Sequence, residues 1–346
     1  MYYRPEIASM SGYVPGEQPQ DRQVIKLNTN ENPYRASEKV YEAIRKVADR
    51  GLSRYPDPLA TEVRNAVAEK FSLTPDWILC GNGSDDLLTI LTRTFVGCGQ
   101  RLRLPYPTYI LYRSLAEIQG AESEIVPFRD DWTLPDDFFK ETKDLKLAFL
   151  PNPNSPSGTV LPKQQILEIA ERLPCPLVVD EAYADFAEDH CIGLVPRCER
   201  IIVCRTMSKS YALAGLRFGY LVAHPHLIEQ MLKVKDSYNC DTLSIAAAAA
   251  AVQDDVWLAE NRKKITATRK YLIENVRSLG FAVPDSHANF IWATHQEKPV
   301  KDIYGYLKGN GILVRYMNYP RWGDGLRISI GTDEQTERCV KLLTAY

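Results

Sequence analysis

The chain has 346 residues, 45% hydrophobic and 25% charged, with a net charge of −2, an ordinary globular balance with room for one large α/β unit and a smaller one. The small net charge, without any block of like sign, excludes a nucleic-acid or membrane-surface protein as the first reading. Eight cysteines without a CxxC pair and only five histidines speak against a zinc or disulfide framework and for reduced thiols in a cytoplasm.

MYYRPEIASMSGY at the start carries no apolar run behind positive charge, so no leader is expected. VIKLNTNENPY (24–34) is expected to join a smaller unit or the lip of a crevice. WILC (77–80) precedes GNGSDD (81–86) and then the helical LLTILTRTF. LKLAFL (145–150) precedes PNPNSPSG (151–158), PLVV (176–179) precedes DEAYADF, and RIIVC (200–204) precedes RTMSKS, with FGYLVA (218–223) after it. These runs are apolar on both faces and too short for helices, which predicts parallel strands buried between helix layers. Residues 241–279 read as long helices, and IAAAAAAV (245–252) is too short to span a membrane. FAVPDSHANFIWAT, ILVRYMN and GLRISIGT read as strands of a smaller α+β unit. The expected architecture is a three-layer α/β/α unit with a mostly parallel sheet over 41–240, a smaller unit over 241–346, and an arm over 1–40 that joins the smaller unit.

Chemistry-capable residues stand just after the apolar runs, where open α/β sheets bind their ligands. Lys209 leaves a buried strand directly. Burial, with Arg205 and Arg217 as cationic neighbours, would lower its pKa and make its amine a nucleophile toward an aldehyde. Asp180 ends a buried strand, where it caps a helix, forms a structural ion pair or pairs with a protonated ring nitrogen. Gly83, Ser84 and Asp85 open a helix whose N–H groups suit a phosphate or a plain cap, provided the aspartates turn away. Ser208 and Arg217 can serve the same anion. The tyrosines of PYPTYILY (105–112) either pack or stack on a ring. Ser155–Pro156 is a candidate cis peptide.

The set, in this order, resembles fold-type I pyridoxal-phosphate (PLP) enzymes, and within them the histidinol-phosphate aminotransferase family. The resemblance runs through LNTNENPY (27–34), RYPDP (54–58), GNGSDD, PTY, NPNSPSG, DEAYADF, RTMSKSYALAGLRFG, ILVR and GLRISIGT (325–332). It implies that Lys209 bonds the cofactor aldehyde and shuttles protons, that Asp180 pairs with the ring nitrogen, and that Tyr183 and Asn154 contact the ring oxygen. Tyr109 would stack on the ring. Gly83, Ser84, Thr206, Ser208 and Arg217 would surround the phosphate, with Asp85 also at the cofactor and Tyr55 reaching the phosphate from the other subunit of a homodimer. Arg327 would hold a substrate carboxylate, and Tyr13, Asn30 and Arg315 would line the substrate side. Two positions depart from the family pattern. Ser155 stands where an asparagine is usual, which leaves open whether it or Asn154 faces the ring, and Asp86 replaces a glutamate. The implied reaction is transamination of histidinol phosphate with 2-oxoglutarate. An aromatic or broad-range aminotransferase and a threonine-phosphate decarboxylase share the same cofactor residues. A non-catalytic PLP-binding regulator usually carries a DNA-binding segment that this chain lacks.

Overall fold

The computed structural model describes residues 2–12, 16–19 and 23–346. The short helix α1 (Pro5–Ser9) and strand β1 (Ile25–Leu27) come first, followed by α2 (Glu38–Arg50) and α3 (Thr61–Phe71). Then come β2 (Ile78–Gly81), α4 (Gly83–Phe95), β3 (Arg101–Tyr106), α5 (Leu111–Gln119), β4 (Glu122–Pro127) and β5 (Leu145–Pro151). They lead into α6 (Lys163–Arg172), β6 (Leu177–Asp180), β7 (Ile201–Thr206) and β8 (Gly219–Val222). The chain ends with α7 (Pro225–Leu232), α8 (Thr242–Val252), α9 (Asp255–Ser278), β9 (Phe290–Ala293), α10 (Val300–Gly309), β10 (Ile312–Tyr319), β11 (Gly323–Ser329) and α11 (Asp333–Ala345). Side chains set several helix starts. Ser37 caps α2, Asp241 caps α8, and Thr332 with Gln335 forms a reciprocal capping box on α11.

Seven strands form one sheet in the order β2-β8-β7-β6-β5-β3-β4. Residues alternate between its two faces. Leu177 and Val179 of β6 enter one core with Ile201 and Val203 of β7, while Val178 and Ile202 enter the other. Helices cover both faces, so the apolar runs are continuous, as parallel strands require. FGYLVA departs from the parallel expectation, because β8 runs antiparallel to both β7 and β2. The link from β7 to β8 contains no crossover helix, only a loop with a short 3-10 turn at Ala214–Leu216, and a parallel return needs a long crossover.

A second sheet, β1-β10-β11-β9, carries its own core with α9, α10 and α11. β1 pairs in parallel with β10, so the early segment joins this sheet. The alanine-rich α8, which a boundary at 241 would assign to the smaller unit, packs instead in the larger core through Ile245, Ala248 and Val252. Its small side chains let it lie close against α2 and α3. The helical stretch 241–279 breaks at Gln253–Asp254, and Ile265, Leu272 and Val276 of α9 then enter the smaller core.

Candidate active site

The strands β3, β5, β6 and β7 end at one side of the large sheet, and the β10–β11 sheet faces that side across a cavity of about 770 Å³. Ser84, Asp85, Tyr109, Asp180, Tyr183, Thr206, Ser208, Lys209 and Arg217 line it from the large sheet, and Asn30, Arg315 and Arg327 from the other. Residues read from strand ends far apart in sequence therefore meet in one place.

Lys209 sits on the loop that leaves β7. Its Nζ donates to the Thr29 carbonyl at 3.1 Å and lies 6.0 Å from the centre of the Tyr183 ring. Burial, then the Arg327 guanidinium and, least, that of Arg217, bring its pKa down from the ordinary 10.5 to about 8, against the pull of Glu31 and Asp85. Arg205, expected as a cationic neighbour, is engaged elsewhere. It is buried with its Nε on Glu181 (2.8 Å) and its Nη1 on Asp185 (2.6 Å), and Arg327 supplies the nearby charge instead. Three hydrogen bonds fix the lysine loop from outside. Asn32 Nδ2 donates to the carbonyls of Lys209 (2.9 Å) and Ser210 (3.2 Å), and the Ser210 hydroxyl donates to Asp185.

Asp180 closes β6 and is 5% exposed. Its Oδ1 accepts from the Ala182 N–H at 3.1 Å and its Oδ2 from the Tyr112 hydroxyl at 2.6 Å. Burial nevertheless raises its pKa from 3.8 to about 6, with those two hydrogen bonds pulling the other way. Three residues further on, the Tyr183 hydroxyl accepts from Asn30 Nδ2 at 3.0 Å.

The third part is the start of α4. Gly83 has φ +80°, a conformation that disfavours any side chain, and a Cβ there would lie 2.7 Å from Arg217 Nη2. The Thr206 hydroxyl donates to Ser208 Oγ (3.0 Å), and Arg217 Nη1 donates to the same oxygen (3.3 Å). Asp85 accepts from the Tyr109 hydroxyl (3.3 Å) and pairs with Arg217 (3.4 Å). Asp86 turns away, accepting from the Asn82 N–H and from Asn239 Nδ2. The helix start thus offers N–H groups that have no partner within the helix, hydroxyls and a guanidinium around one small space, the ingredients of an anion cradle.

Arg315 and Arg327 are register partners across β10 and β11. Arg327 donates to Ser155 Oγ and to the Asn28 carbonyl, each at 3.1 Å, and among the described residues it forms no salt bridge. Asn154 does not reach the cavity. Its Nδ2 donates to Ser157 Oγ (2.9 Å) and its Oδ1 is buried without a partner, whereas Ser155, the residue before a cis Pro156, lines the cavity. Tyr55 is 81% exposed, lies outside the cavity, and stacks on Tyr238 at 4.5 Å. Tyr13 lies outside the described residues. Sequence reasoning missed Tyr112, Thr29 and Asn32. Nothing in PTYILY distinguishes the tyrosine that turns toward Asp180.

A lysine amine, an acid and an anion cradle at the strand ends of a doubly covered sheet define a class of enzyme. The family model for aminotransferase class I and II matches residues 22–343, and the chain belongs to that family. A histidinol-phosphate aminotransferase of Rhodopirellula baltica is 56% identical over 344 residues, covering 99% of this chain and 95% of that protein. Another, from Geotalea daltonii, is 43% identical over 341 residues and 98% of each chain. Among solved structures, the histidinol-phosphate aminotransferase of Sinorhizobium meliloti in complex with pyridoxal-5'-phosphate superposes with a TM-score of 0.89 at 26% identity, over 99% of this chain and 98% of that one.

Proposed function

We propose that this chain is a PLP-dependent aminotransferase that converts histidinol phosphate and 2-oxoglutarate to imidazole-acetol phosphate and glutamate, a step of histidine biosynthesis. Relatives of that name match along nearly the whole chain. The observation that carries the reading is the cavity itself. It joins a lysine of lowered pKa, a buried carboxylate and an anion cradle on one side to two register-paired arginines on the other.

The donor set fits the cofactor. The N–H groups at Gly83 and Ser84, the hydroxyls of Ser84, Thr206 and Ser208, and Arg217 suit a phosphate dianion, with Asp85 orienting Arg217 and Tyr109. A side chain at position 83 would intrude on this cradle. Asp180 would hold the ring nitrogen protonated, Tyr183 and Ser155 would face the ring oxygen, and Tyr109 would stack on the ring. When bound, the cofactor supplies an electron-poor ring that accepts the electron pair left as a substrate carbon loses its proton. Lys209 would hold the aldehyde, and its free amine would take the proton from the substrate Cα as general base. A pKa of about 8 leaves an appreciable neutral fraction near neutrality. Arg327 binds the carboxylate of the acceptor, Arg315 the phosphate of the donor, and Asn30 and Tyr13 border the same space. The enzyme works as a cytoplasmic homodimer in which Tyr55 completes the partner's phosphate site. The exposure of Tyr55 outside its own cavity supports this. In this reading the larger unit extends to Val252, and residues 23–31 belong with the smaller one.

Purified protein reconstituted with PLP is expected to show a visible absorbance that histidinol phosphate bleaches at low concentration. Histidinol, lacking the phosphate, should need at least about tenfold more, and aromatic amino acids more still. Lys209→Ala should lose both the absorbance and the turnover. Equal bleaching by an aromatic donor would replace the substrate assignment, and an unchanged spectrum in the lysine variant would remove the mechanism.

A further inference from the structure

Tyr112 lines the cavity without a role assigned above, yet it touches two residues that have one. It projects from α5, is fully buried, and donates to Asp180 Oδ2 at 2.6 Å. Its ring meets Tyr109 edge-on, with centroids 5.7 Å apart and an interplanar angle of 87°, and on another side packs against Phe149 of β5 at 4.9 Å. One rigid side chain, locked by β5 and its own helix, is thus in contact with both the acid and the aromatic ring of the cavity.

We propose that Tyr112 is a positioning residue whose hydroxyl keeps Asp180 ionised and aimed at the cofactor ring nitrogen. The inference rests on the PLP reading above and deepens it. The chemistry follows from what surrounds the carboxylate. The titratable groups that act on Asp180 are Tyr112 from α5, Asp85 from α4, Cys204 from β7 and its neighbour Glu181. Asp85 and Glu181 are acids, and both favour the neutral form of Asp180. Glu181 is already committed to Arg205, and Asp85 to Arg217. The Cys204 thiol is pushed well above its ordinary value by burial and stays uncharged. Among the described residues no cation forms a salt bridge with Asp180. The donors that favour its charged form are the Ala182 N–H and the Tyr112 hydroxyl, and the second is a side chain that can be changed without moving the backbone. A ring nitrogen can be held protonated only by the ionised acid, so losing this donor makes cofactor binding fail at a higher pH.

The test is the dissociation constant of PLP measured from pH 5.5 to 8.5 on wild type and Tyr112→Phe, by titrating the apoprotein with PLP alone. Affinity should fall with decreasing pH in both. In the variant the fall should begin about one pH unit higher, about a tenfold loss at the same acidic pH, with affinity at pH 8.5 within about threefold of wild type. A profile superimposable on wild type, or a uniform weakening at every pH, would overturn the proposal, since loss of packing alone does not move a midpoint. Incorporation of 3-fluorotyrosine at position 112 keeps the shape and makes the hydroxyl a stronger donor. It should move the midpoint downward, and an unmoved or raised midpoint would count against the proposal even if the phenylalanine variant fails to fold. Wild type that does not bind PLP at any pH would defeat the cofactor reading itself, and this inference with it.

Discussion

Asp180 and Lys209 are both held in states that the fold alone does not favour. Asp180 has a folded pKa of about 6 against an ordinary 3.8. Its proton is bound more tightly in the folded chain, so stability is lost as pH rises from about 4 to about 6, and the penalty is complete above that. A shift of about two pKa units corresponds to about 3 kcal/mol. Asp180→Asn can keep the Ala182 N–H on its Oδ1 and donate from its Nδ2 to the Tyr112 hydroxyl, while carrying no charge. The apoprotein variant is therefore expected to melt several degrees above wild type at pH 7.5, with the gain vanishing below about pH 4. Thermal denaturation across that range checks the sign. Lys209 adds a cost of the opposite kind, present below about pH 8, where it is charged in the folded state, and relieved toward 10.5. Strain of this sort concentrates where charge is to be used. The sequence disclosed these residues because each ends an apolar run. It did not disclose Tyr112, Asn32 or Thr29, whose roles depend on which way a side chain turns in three dimensions, nor that Asn154 would face the interior and Ser155 the cavity.

At the level of elements, the contact between β8 and the start of α4 sets the cradle. A Cβ on Gly219 would lie 2.8 Å from both the Ser84 nitrogen and the Arg205 carbonyl oxygen, backbone atoms that cannot swing aside. Gly219→Ala is expected to push α4 off its seat, cost roughly 1–3 kcal/mol of stability, and raise the PLP dissociation constant at least about tenfold. Gly193→Ala, where a Cβ meets nothing within 4 Å, serves as the control and should change neither. Melting curves and cofactor titration report both effects. Element legibility followed composition. β5, β6 and β7 were plain from their unbroken apolar runs. β3 was hidden by Arg101 and Arg103, although Arg103 is fully buried, where Glu124 and Thr142 bind its guanidinium. β8 was legible as a strand but not in direction, because direction is decided by the connection and not by the strand.

The whole molecule leaves Leu52, Tyr55 and Tyr238 exposed, a local excess of apolar surface of the kind that marks an interface. If Tyr55 completes a neighbouring site, Tyr55→Ala should hold PLP at least about tenfold more weakly while its own cavity stays intact. Mixing it with Lys209→Ala should restore activity, because a hybrid dimer contains one site with both residues. Turnover of the refolded mixture against each parent checks this, and a mixture no better than its parents would mean that each subunit works alone. The fold class was readable from sequence at this scale because strand and helix patterns alternate. The allegiance of α8 was not, since an alanine helix that is apolar all round carries no sign of which core it enters.

The antiparallel return of β8 has one more effect. Thr206 and Gly219 are opposite rungs of the same ladder, so the segment 207–218, with Ser208, Lys209 and Arg217, is a closed cassette stitched shut at its base. Its amine and guanidinium keep a fixed spacing however the rest of the protein breathes. A change in cassette length would break that spacing at once, so divergence among its relatives should proceed there by substitution and leave insertions to the outer loops.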